Sequence, residues 1–213
     1  MTIVKLFFDL DGTLLNTWKR SYKAYTIATR NLKGMPISKS EFIKVKRDGI
    51  SNADIMAKSK VPVDKLESFK EMIANNIEKD WLLNTDKLYR WVVPTLIQLT
   101  SHYEIFLLTS RKRYNGCLIQ LQKLGINSFF KHLYITENKS DITKNLLPKS
   151  SVIVSDTEDD IDLGNKSGLL TVGVTWGHRN ESILRLKRPT YLTDSAKDLF
   201  DFLVKLAESE IWS

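Results

Sequence analysis

The sequence predicts an α/β fold, a doubly wound parallel sheet that carries an inserted all-helical segment. Short, nearly all-apolar runs recur between polar residues, as expected of strands buried on both faces of a parallel sheet. Stretches with helical spacing separate the later runs, and this alternation is typical of a doubly wound sheet. The apolar runs lie at residues 3–8, 105–108, 133–135, 152–154 and 170–174.

The predicted helices of the sheet follow from leucine and isoleucine residues spaced three or four apart. One such stretch ends at Gly125 and a second, residues 141–147, ends at Pro148. Glycine and proline are common just beyond a helix end. A closing helix over residues 196–206 presents one apolar side, so we expect it to pack on the sheet.

Residues 18–91 break the alternation of strand and helix. They contain four candidate helices, which are punctuated by glycine and proline. We therefore predict a discontinuous core of residues 1–14 and 93–213, and an inserted helical domain of residues 15–92. The candidate helices lie at residues 20–33, 39–47, 52–59 and 64–83.

The charge of the chain is concentrated in the predicted insertion. The chain has 32 Lys and Arg against 25 Asp and Glu, a formal net charge of +7. Residues 15–92 hold 16 of the basic and 9 of the acidic residues, so the whole surplus lies there. Lysines scattered over helices usually form a solvated face, and no aromatic residues alternate with them as in a single-strand binder. Nucleic acid is therefore only an alternative partner.

The remaining composition predicts a soluble cytoplasmic protein without disulfides or zinc. Cys117 is the single cysteine, and the three histidines do not have zinc-ligand spacing beside it. The first apolar run is short and contains Lys5, so neither a signal peptide nor a membrane span is predicted. We expect no membrane partner, and a monomer or homodimer.

Two carboxylates follow the first predicted strand, at Asp9 and Asp11, with Gly12 and Thr13 next. The carboxyl ends of parallel strands form the ligand crevice of an open sheet. Carboxylates placed there can serve as a nucleophile and as metal ligands. An ordinary turn is the alternative, since Asp and Gly also favour a strand exit.

This segment resembles the first motif of the haloacid dehalogenase superfamily, Asp-x-Asp-Gly-Thr. The remaining motifs follow in order at predicted strand ends, so the resemblance covers nearly the whole chain. It implies a Rossmann-like core with a helical cap, and Asp11 favours phosphate chemistry over dehalogenation. The candidate residues of the second, third and fourth motifs are Thr109, Lys139, and Asp156 with Asp160.

The resemblance assigns a role to each motif. Thr109, with Ser110 and Arg111 after it, would hold phosphoryl oxygens, and Lys139 would neutralise their charge. The fourth motif usually has glycine before its first Asp, where this chain has Ser155. That serine could crowd the turn or be tolerated.

The implied reaction is a magnesium-dependent phosphoryl transfer in two steps. Asp9 would attack phosphorus and become an aspartyl phosphate, while Asp11 would act as general acid and then as general base. Mg²⁺ would be held by Asp9, the main-chain carbonyl of Asp11, and Asp156. Asp160 would order its water shell, although Glu158 and Asp159 are alternatives.

The helical cap of the superfamily selects the substrate, so Arg47 and Asn52 are predicted substrate-binding residues. The expected enzyme is a phosphatase of a small soluble phosphomonoester, similar to the phosphoglycolate phosphatase branch. A phosphatase of nucleotides or nucleic-acid ends, a phosphomutase and a non-catalytic binding protein are the alternatives. Ser21 stands where β-phosphoglucomutase-like members carry a histidine, which weakens the mutase alternative. His178 and Arg179 are interpreted as loop residues unless they face the crevice.

Overall fold

The computed structural model describes residues 4–145 and 150–209. The chain divides into two compact units, a helical unit of residues 16–87 and a sheet unit formed by the rest. The predicted insertion, residues 15–92, is slightly longer than the helical unit at both ends.

The sheet unit contains, within the described residues, a six-stranded parallel sheet with the strand order β5-β4-β1-β6-β7-β8. The chain starts in the middle of this sheet, builds β4 and β5 on one side, and then builds β6, β7 and β8 on the other. The predicted doubly wound Rossmann-like fold is therefore confirmed. The strands are β1 Val4–Phe8, β4 Tyr103–Thr109, β5 His132–Ile135, β6 Ser151–Ser155, β7 Leu170–Val174 and β8 Tyr191–Thr193.

Both faces of the sheet are buried, because successive strand residues point to opposite sides. Leu6 and Phe8 belong to the larger apolar cluster, whereas Phe7 belongs to a second one and stacks on Phe106 at 4.8 Å. The helices of this unit, within the described residues, are α6 Val92–Leu99, α7 Tyr114–Lys123, α8 Lys139–Asn145, α9 Glu158–Lys166, α10 Glu181–Arg185 and α11 Ala196–Glu208. Helices α6, α7 and α11 contribute to the larger cluster, and Ile142 of α8 packs against the second one.

Two details of the sheet unit differ from the sequence prediction. The edge strand β8 was not predicted, because it is three residues long and follows Pro189 and Thr190. The predicted helix over residues 141–147 begins two residues earlier, at Lys139, and Leu146 and Leu147 lie outside the described residues.

The helical unit is built around an aromatic cluster. Tyr25 is buried, stacks on Phe42 at 4.6 Å and meets Phe69 edge to face. Ser38 and Ser51 cap the second and third helices by accepting hydrogen bonds from main-chain N–H groups. The helices are α1 Trp18–Asn31, α2 Lys39–Arg47, α3 Asn52–Lys58, α4 Leu66–Ile77 and α5 Asp80–Leu83, with a 3₁₀ turn at Val63–Lys65.

The prediction of one continuous helix over residues 64–83 is wrong. The chain leaves the helical conformation at Lys79, which is extended and precedes α5. Near this end of α4, the side-chain amide of Asn76 donates to the carbonyl of Met72 at 2.6 Å. Asparagine often competes with the helical backbone in this way.

Two short strands, β2 Leu15–Asn16 and β3 Lys87–Leu88, pair where the chain passes between the units. Among the helices within residues 4–145 and 150–209, none has the length and apolar character needed to span a membrane.

Candidate active site

A cavity of about 310 Å³ opens where β1, β4 and β6 end. β1 lies between the other two strands, at the point where the strand order reverses, which is where open α/β sheets bind ligands. Six predicted site residues line the cavity: Asp9, Asp11, Thr109, Ser110, Lys139 and Asp160. Thr157, Asp159, His178 and Arg179 complete its described lining.

Lys139 pairs with two carboxylates in the wall of the cavity. Its ammonium group donates to Asp9 Oδ1 and to Asp160 Oδ2, each at 2.7 Å. Asp9 follows β1 directly, Lys139 begins α8, and Asp160 lies in the first turn of α9. All three side chains are nearly buried, so water screens these interactions weakly.

The electrostatics of this cluster are unbalanced. Burial raises the pKa of Asp9 to about 7. Lys139 acts in the opposite direction, but the negative charges of Asp160 and Asp156 add to the upward shift. Burial would lower the pKa of Lys139, but the carboxylates of Asp160 and Asp9 outweigh it and raise that pKa. The cluster therefore holds a firmly charged ammonium and an excess of buried negative charge.

Asp156 lies just beyond β6 and is fully buried between two glycine segments. A Cβ atom at Gly12 or Gly177 would come within 2.1 or 2.2 Å of Asp156 Oδ2. Gly12 also has a φ of +94°, a conformation that glycine adopts without strain. The glycine of the first motif is therefore required by the close approach of Asp156.

Hydrogen bonds fix both oxygens of Asp156. The Thr13 hydroxyl donates to Oδ1 at 2.9 Å, and the main-chain N–H of His178 donates to Oδ2 at 2.6 Å. His178 Nδ1 lies 3.0 Å from the same oxygen. Burial alone would lower the pKa of His178, but the charge and hydrogen bond of Asp156, together with the charges of Asp11 and Asp9, make the net shift upward.

The interpretation of His178 and Arg179 changes, because both side chains face the cavity. Arg179 also forms a 2.6 Å ion pair with Glu158 at the start of α9. The sequence contained a signal for this placement, because both residues directly follow Gly177, shortly after the last predicted strand. That strand ends beside β6, so its exit loop reaches the same edge of the sheet.

Ser155 fits the turn at the end of β6. Its side chain is buried, and its hydroxyl donates to Asp160 Oδ2 at 2.7 Å. Asp160 Oδ2 thus accepts from both Ser155 and Lys139. The serine is accommodated as a hydrogen-bond donor to the Asp160 carboxylate.

Arg111 is buried against Asp11. Arg111 Nε and Nη2 donate to the two oxygens of Asp11, each at 2.6 Å. Nη2 also donates to Gln120 Oε1 at 3.1 Å. These contacts connect Arg111 to a carboxylate of the cavity wall, and its predicted contact with substrate stays a prediction.

The other predicted substrate residues occupy different places. Thr109 is buried at the end of β4, where its carbonyl accepts from Thr136, and Ser110 is exposed. Arg47 ends α2 and Asn52 begins α3, both within the helical unit. The role of Arg47 and Asn52 stays a prediction.

The donor chemistry around the cavity fits a hard divalent cation. The acidic residues supply only oxygen atoms, which Mg²⁺ prefers. Within residues 4–145 and 150–209, no three acidic, histidine or cysteine side chains converge closely enough to hold a metal ion unaided. Mg²⁺ commonly uses one or two carboxylates and keeps several waters, so a site for it does not need three converging side chains.

Comparisons with known proteins agree with this architecture. Over 225 aligned positions the chain is 25% identical to the pyrophosphatase PpaX of Bacillus mycoides, which covers 97% of this chain and 99% of that protein. A haloacid dehalogenase-like hydrolase structure from Streptococcus pneumoniae superposes with a TM-score of 0.77 at 21% identity, covering 95% of this chain and 99% of that one. The structure of a "predicted phosphoglycolate phosphatase" from Haemophilus somnus superposes with a TM-score of 0.71 at 21% identity, covering 95% of this chain and 98% of that one.

The family of the chain follows from its match to a family model. The model described as haloacid dehalogenase-like hydrolase matches residues 6–174, well over half of the chain. The match confirms both the family predicted from the four motifs and the prediction of a hydrolase. The chain therefore belongs to the haloacid dehalogenase-like hydrolase family.

Proposed function

We propose that this protein is a magnesium-dependent phosphatase that hydrolyses a small soluble phosphomonoester through an aspartyl phosphate. The observation that carries the proposal is the position of Asp9 at the end of β1. There it lines the cavity, accepts a hydrogen bond from Lys139, and has Asp11 two residues away. A carboxylate nucleophile, a fixed cation and a second carboxylate are the groups that such a transfer needs.

The first step joins Asp9 to phosphorus. An oxygen of Asp9 attacks phosphorus, the bond between phosphorus and the leaving oxygen breaks, and Asp11 would give its proton to that oxygen. Lys139 and the groups around Thr109 and Ser110 would stabilise the charge on the phosphoryl oxygens. In the second step a water attacks the aspartyl phosphate and gives its proton to Asp11, which releases phosphate and restores Asp9.

The magnesium ion would be held by Asp9, Asp156 and the main-chain carbonyl of Asp11. When bound, it offsets the repulsion between the attacking carboxylate and the phosphate dianion. The raised pKa of Asp9 supports this assignment, because a neighbouring cation favours the ionised form that can attack. Asp160 would act through Lys139 and Ser155, which it contacts directly.

The size of the cavity limits the substrate. About 310 Å³ lies at the small end of ligand sites in proteins, so a compact molecule is favoured. The names of the relatives point to pyrophosphate and phosphoglycolate as compounds to test first. Nucleotides and phosphorylated oligonucleotides test whether the basic helical unit recruits such substrates. A hexose bisphosphate tests whether the protein is a phosphomutase.

The experiment is phosphate release from this panel with Mg²⁺ and with excess chelator. Turnover that requires Mg²⁺ and disappears in Asp9→Asn is the expected result. Acid quenching should trap phosphorylated wild type and no phosphorylated variant. Asp201→Asn makes the same chemical change on the exposed side of α11 and should retain full activity.

Two results would contradict the proposal. One is the absence of turnover for every compound by well-folded protein in the presence of Mg²⁺. The other is an Asp9→Asn variant that keeps wild-type activity, because the nucleophile would then be another residue.

A further inference from the structure

Arg179 lies in the wall of the cavity, and an acidic residue outside the described lining orients its guanidinium group. Nε donates to Glu158 Oε2 at 2.6 Å, and Nη1 lies 3.4 Å from the main-chain carbonyl of His178. The two terminal nitrogens of a guanidinium group carry most of its N–H donors. Because the Arg179 side chain is 20% exposed and lines the cavity, a ligand in the cavity can reach these donors.

The residues on both sides of Arg179 are fixed by hydrogen bonds. The main-chain N–H of His178, directly before it, donates to Asp156 Oδ2 at 2.6 Å. The side chain of Asn180, directly after it, accepts from the N–H of Ile183 at 3.1 Å and caps α10. The guanidinium group is therefore preorganised, which reduces the entropy lost when it binds a ligand.

The charges of the cavity wall give Arg179 a role that differs from that of Lys139. Four of the described lining residues are acidic, and the lysine and the arginine among them are Lys139 and Arg179. Lys139 donates to Asp9 and to Asp160 at 2.7 Å each, so its charge is shared with the carboxylate that attacks phosphorus in the proposed reaction. A second anionic group in the cavity would be repelled by the acidic wall unless it met another cation. Arg179 supplies that cation.

We propose that Arg179 is a specificity-determining residue that binds a second anionic group of the substrate, either a carboxylate or a second phosphoryl group. The planar fork of a guanidinium group matches the oxygen atoms of both groups. This inference rests on the proposed phosphatase function. It narrows the substrate class to phosphate compounds whose departing part is itself an anion.

The size of the cavity limits the distance between the two anionic groups. A volume of about 310 Å³ favours a compact ligand, so a short spacer must join the groups. Phosphorylated short hydroxy acids and inorganic phosphoanhydrides satisfy both requirements. Phosphate esters of small uncharged alcohols also fit the cavity, but they present nothing to the guanidinium group.

The test compares two substrates that differ in charge and have nearly the same size, phosphoglycolate and its neutral amide. Pyrophosphate is added as the compound with a second phosphoryl group. Values of kcat and KM are measured with Mg²⁺ for wild type, Arg179→Gln and Arg179→Lys. Arg185→Gln is the matched control, because Arg185 is an exposed residue of α10 that pairs with Glu181 and lies outside the described lining of the cavity.

Arg179→Gln should lower the carboxylate-to-amide ratio of kcat/KM by about tenfold to a hundredfold, as expected for the loss of hydrogen bonds to a charged group. The change should appear mainly as a higher KM for phosphoglycolate, and pyrophosphate should lose activity to a similar extent. Arg179→Lys keeps the charge without the fork, so the ratio should fall less. Arg185→Gln should leave the ratio unchanged.

The ratio does not depend on the fraction of folded enzyme, because both substrates report on the same active molecules. A variant that is only less stable therefore loses activity toward both compounds and keeps the wild-type ratio. If Arg179→Gln does not fold at all, Arg179→Lys still decides whether the ratio falls.

Two outcomes would overturn the inference. One is a wild-type ratio in both Arg179 variants, which would make the pair with Glu158 a purely structural contact. The other is a ratio that rises in the variants, which would mean that Arg179 does not favour an anionic group. If wild type hydrolyses none of the compounds, the proposed function itself fails, and this result is distinct from an unchanged ratio in an active enzyme.

Discussion

Each of the two units contains buried charges, but the charges are arranged differently. In the helical unit, Arg20 Nε lies 3.2 Å from Asp86 Oδ2, with side chains 2% and 0% exposed. In the sheet unit, Lys139 is shared by Asp9 and Asp160, and Asp156 adds a further negative charge nearby. The first arrangement places a cation beside an anion, whereas the second sets three carboxylates against one ammonium group.

We interpret the first arrangement as structural and the second as part of the candidate active site. The Arg20–Asp86 pair joins the first turn of α1 to the residue before β3, at the two ends of the helical unit. The Lys139 cluster faces a cavity, and burial raises the pKa of Asp9 to about 7 although Lys139 acts in the opposite direction. For the cation and phosphate site that we propose, such unfavourable charge would be retained at the expense of stability.

The largest expected effect on stability is that of Arg20→Met. The substitution leaves Asp86 buried without its cation, and breaking a buried pair in this way typically costs about 3–5 kcal/mol. The free energy of unfolding, measured in urea, should fall by about this amount. Arg20→Met combined with Asp86→Asn should recover part of the loss, because neither member of the pair is then charged.

Lys19→Met is the matched control for this change, since Lys19 is the exposed neighbour on the same helix. We expect its effect to stay within about 0.5 kcal/mol. A loss below about 1 kcal/mol for Arg20→Met would contradict the view that this pair stabilises the helical unit.

Lys139→Met should have the next largest effect. It leaves Asp9 and Asp160 buried without their ammonium group, and we expect a loss of about 3 kcal/mol near neutral pH. The loss should shrink at pH 5, because carboxylates without the cation bind protons more readily and lose their charge. Urea unfolding at both pH values measures this, with Lys131→Met as an exposed control. A loss that grows at low pH would contradict the charge argument.

Much of the sheet unit could be predicted from the sequence, because each strand follows from the pattern of apolar residues within its own segment. Runs such as residues 105–108 are apolar throughout, as expected of strands buried on both faces of a parallel sheet. Parallel strands all end at one edge of the sheet, so residues that follow them converge. Asp9, Thr109, Lys139 and Asp160 are brought to one cavity for this reason.

The contacts between side chains could not be predicted, because no periodicity specifies them. Asp11 meets Arg111 across 100 positions of sequence, and the His178 side chain reaches Asp156 across 22. Each contact depends on the conformation of a loop rather than on an apolar pattern. The Arg20–Asp86 pair was missed for a related reason, since both residues resemble ordinary surface charges in the sequence.

Asp9→Asn should stabilise the protein while it removes the nucleophile. The folded state holds a proton on Asp9 up to a pKa of about 7, whereas the unfolded chain loses it near 3.8. The stability that Asp9 contributes is therefore complete at low pH and falls as the pH rises from about 4 to about 7. Asparagine avoids this loss, but it also weakens the interaction with Lys139, so we expect a net gain of about 2 kcal/mol at pH 8.

Chemical unfolding of both proteins from pH 5 to pH 8 in chelator measures this gain, which should widen as the pH rises. Mg²⁺ should stabilise wild type more than Asp9→Asn, because the variant lacks a charged ligand. An equal response to Mg²⁺ would argue against Asp9 as a metal ligand. A gap that narrows toward pH 8 would argue against a raised pKa of Asp9.

Ser155→Ala should have the smallest effect. It removes one hydrogen bond to Asp160 Oδ2 and leaves the bond from Lys139, so we expect a loss of about 1 kcal/mol in the free energy of unfolding. Activity should fall a few fold, because Asp160 then orients Lys139 less firmly. Ser155→Gly should lose slightly more stability, since glycine in a strand also costs conformational entropy. If either variant is more stable than wild type, Ser155 crowds the turn, and the hydrogen bond to Asp160 does not compensate for that crowding.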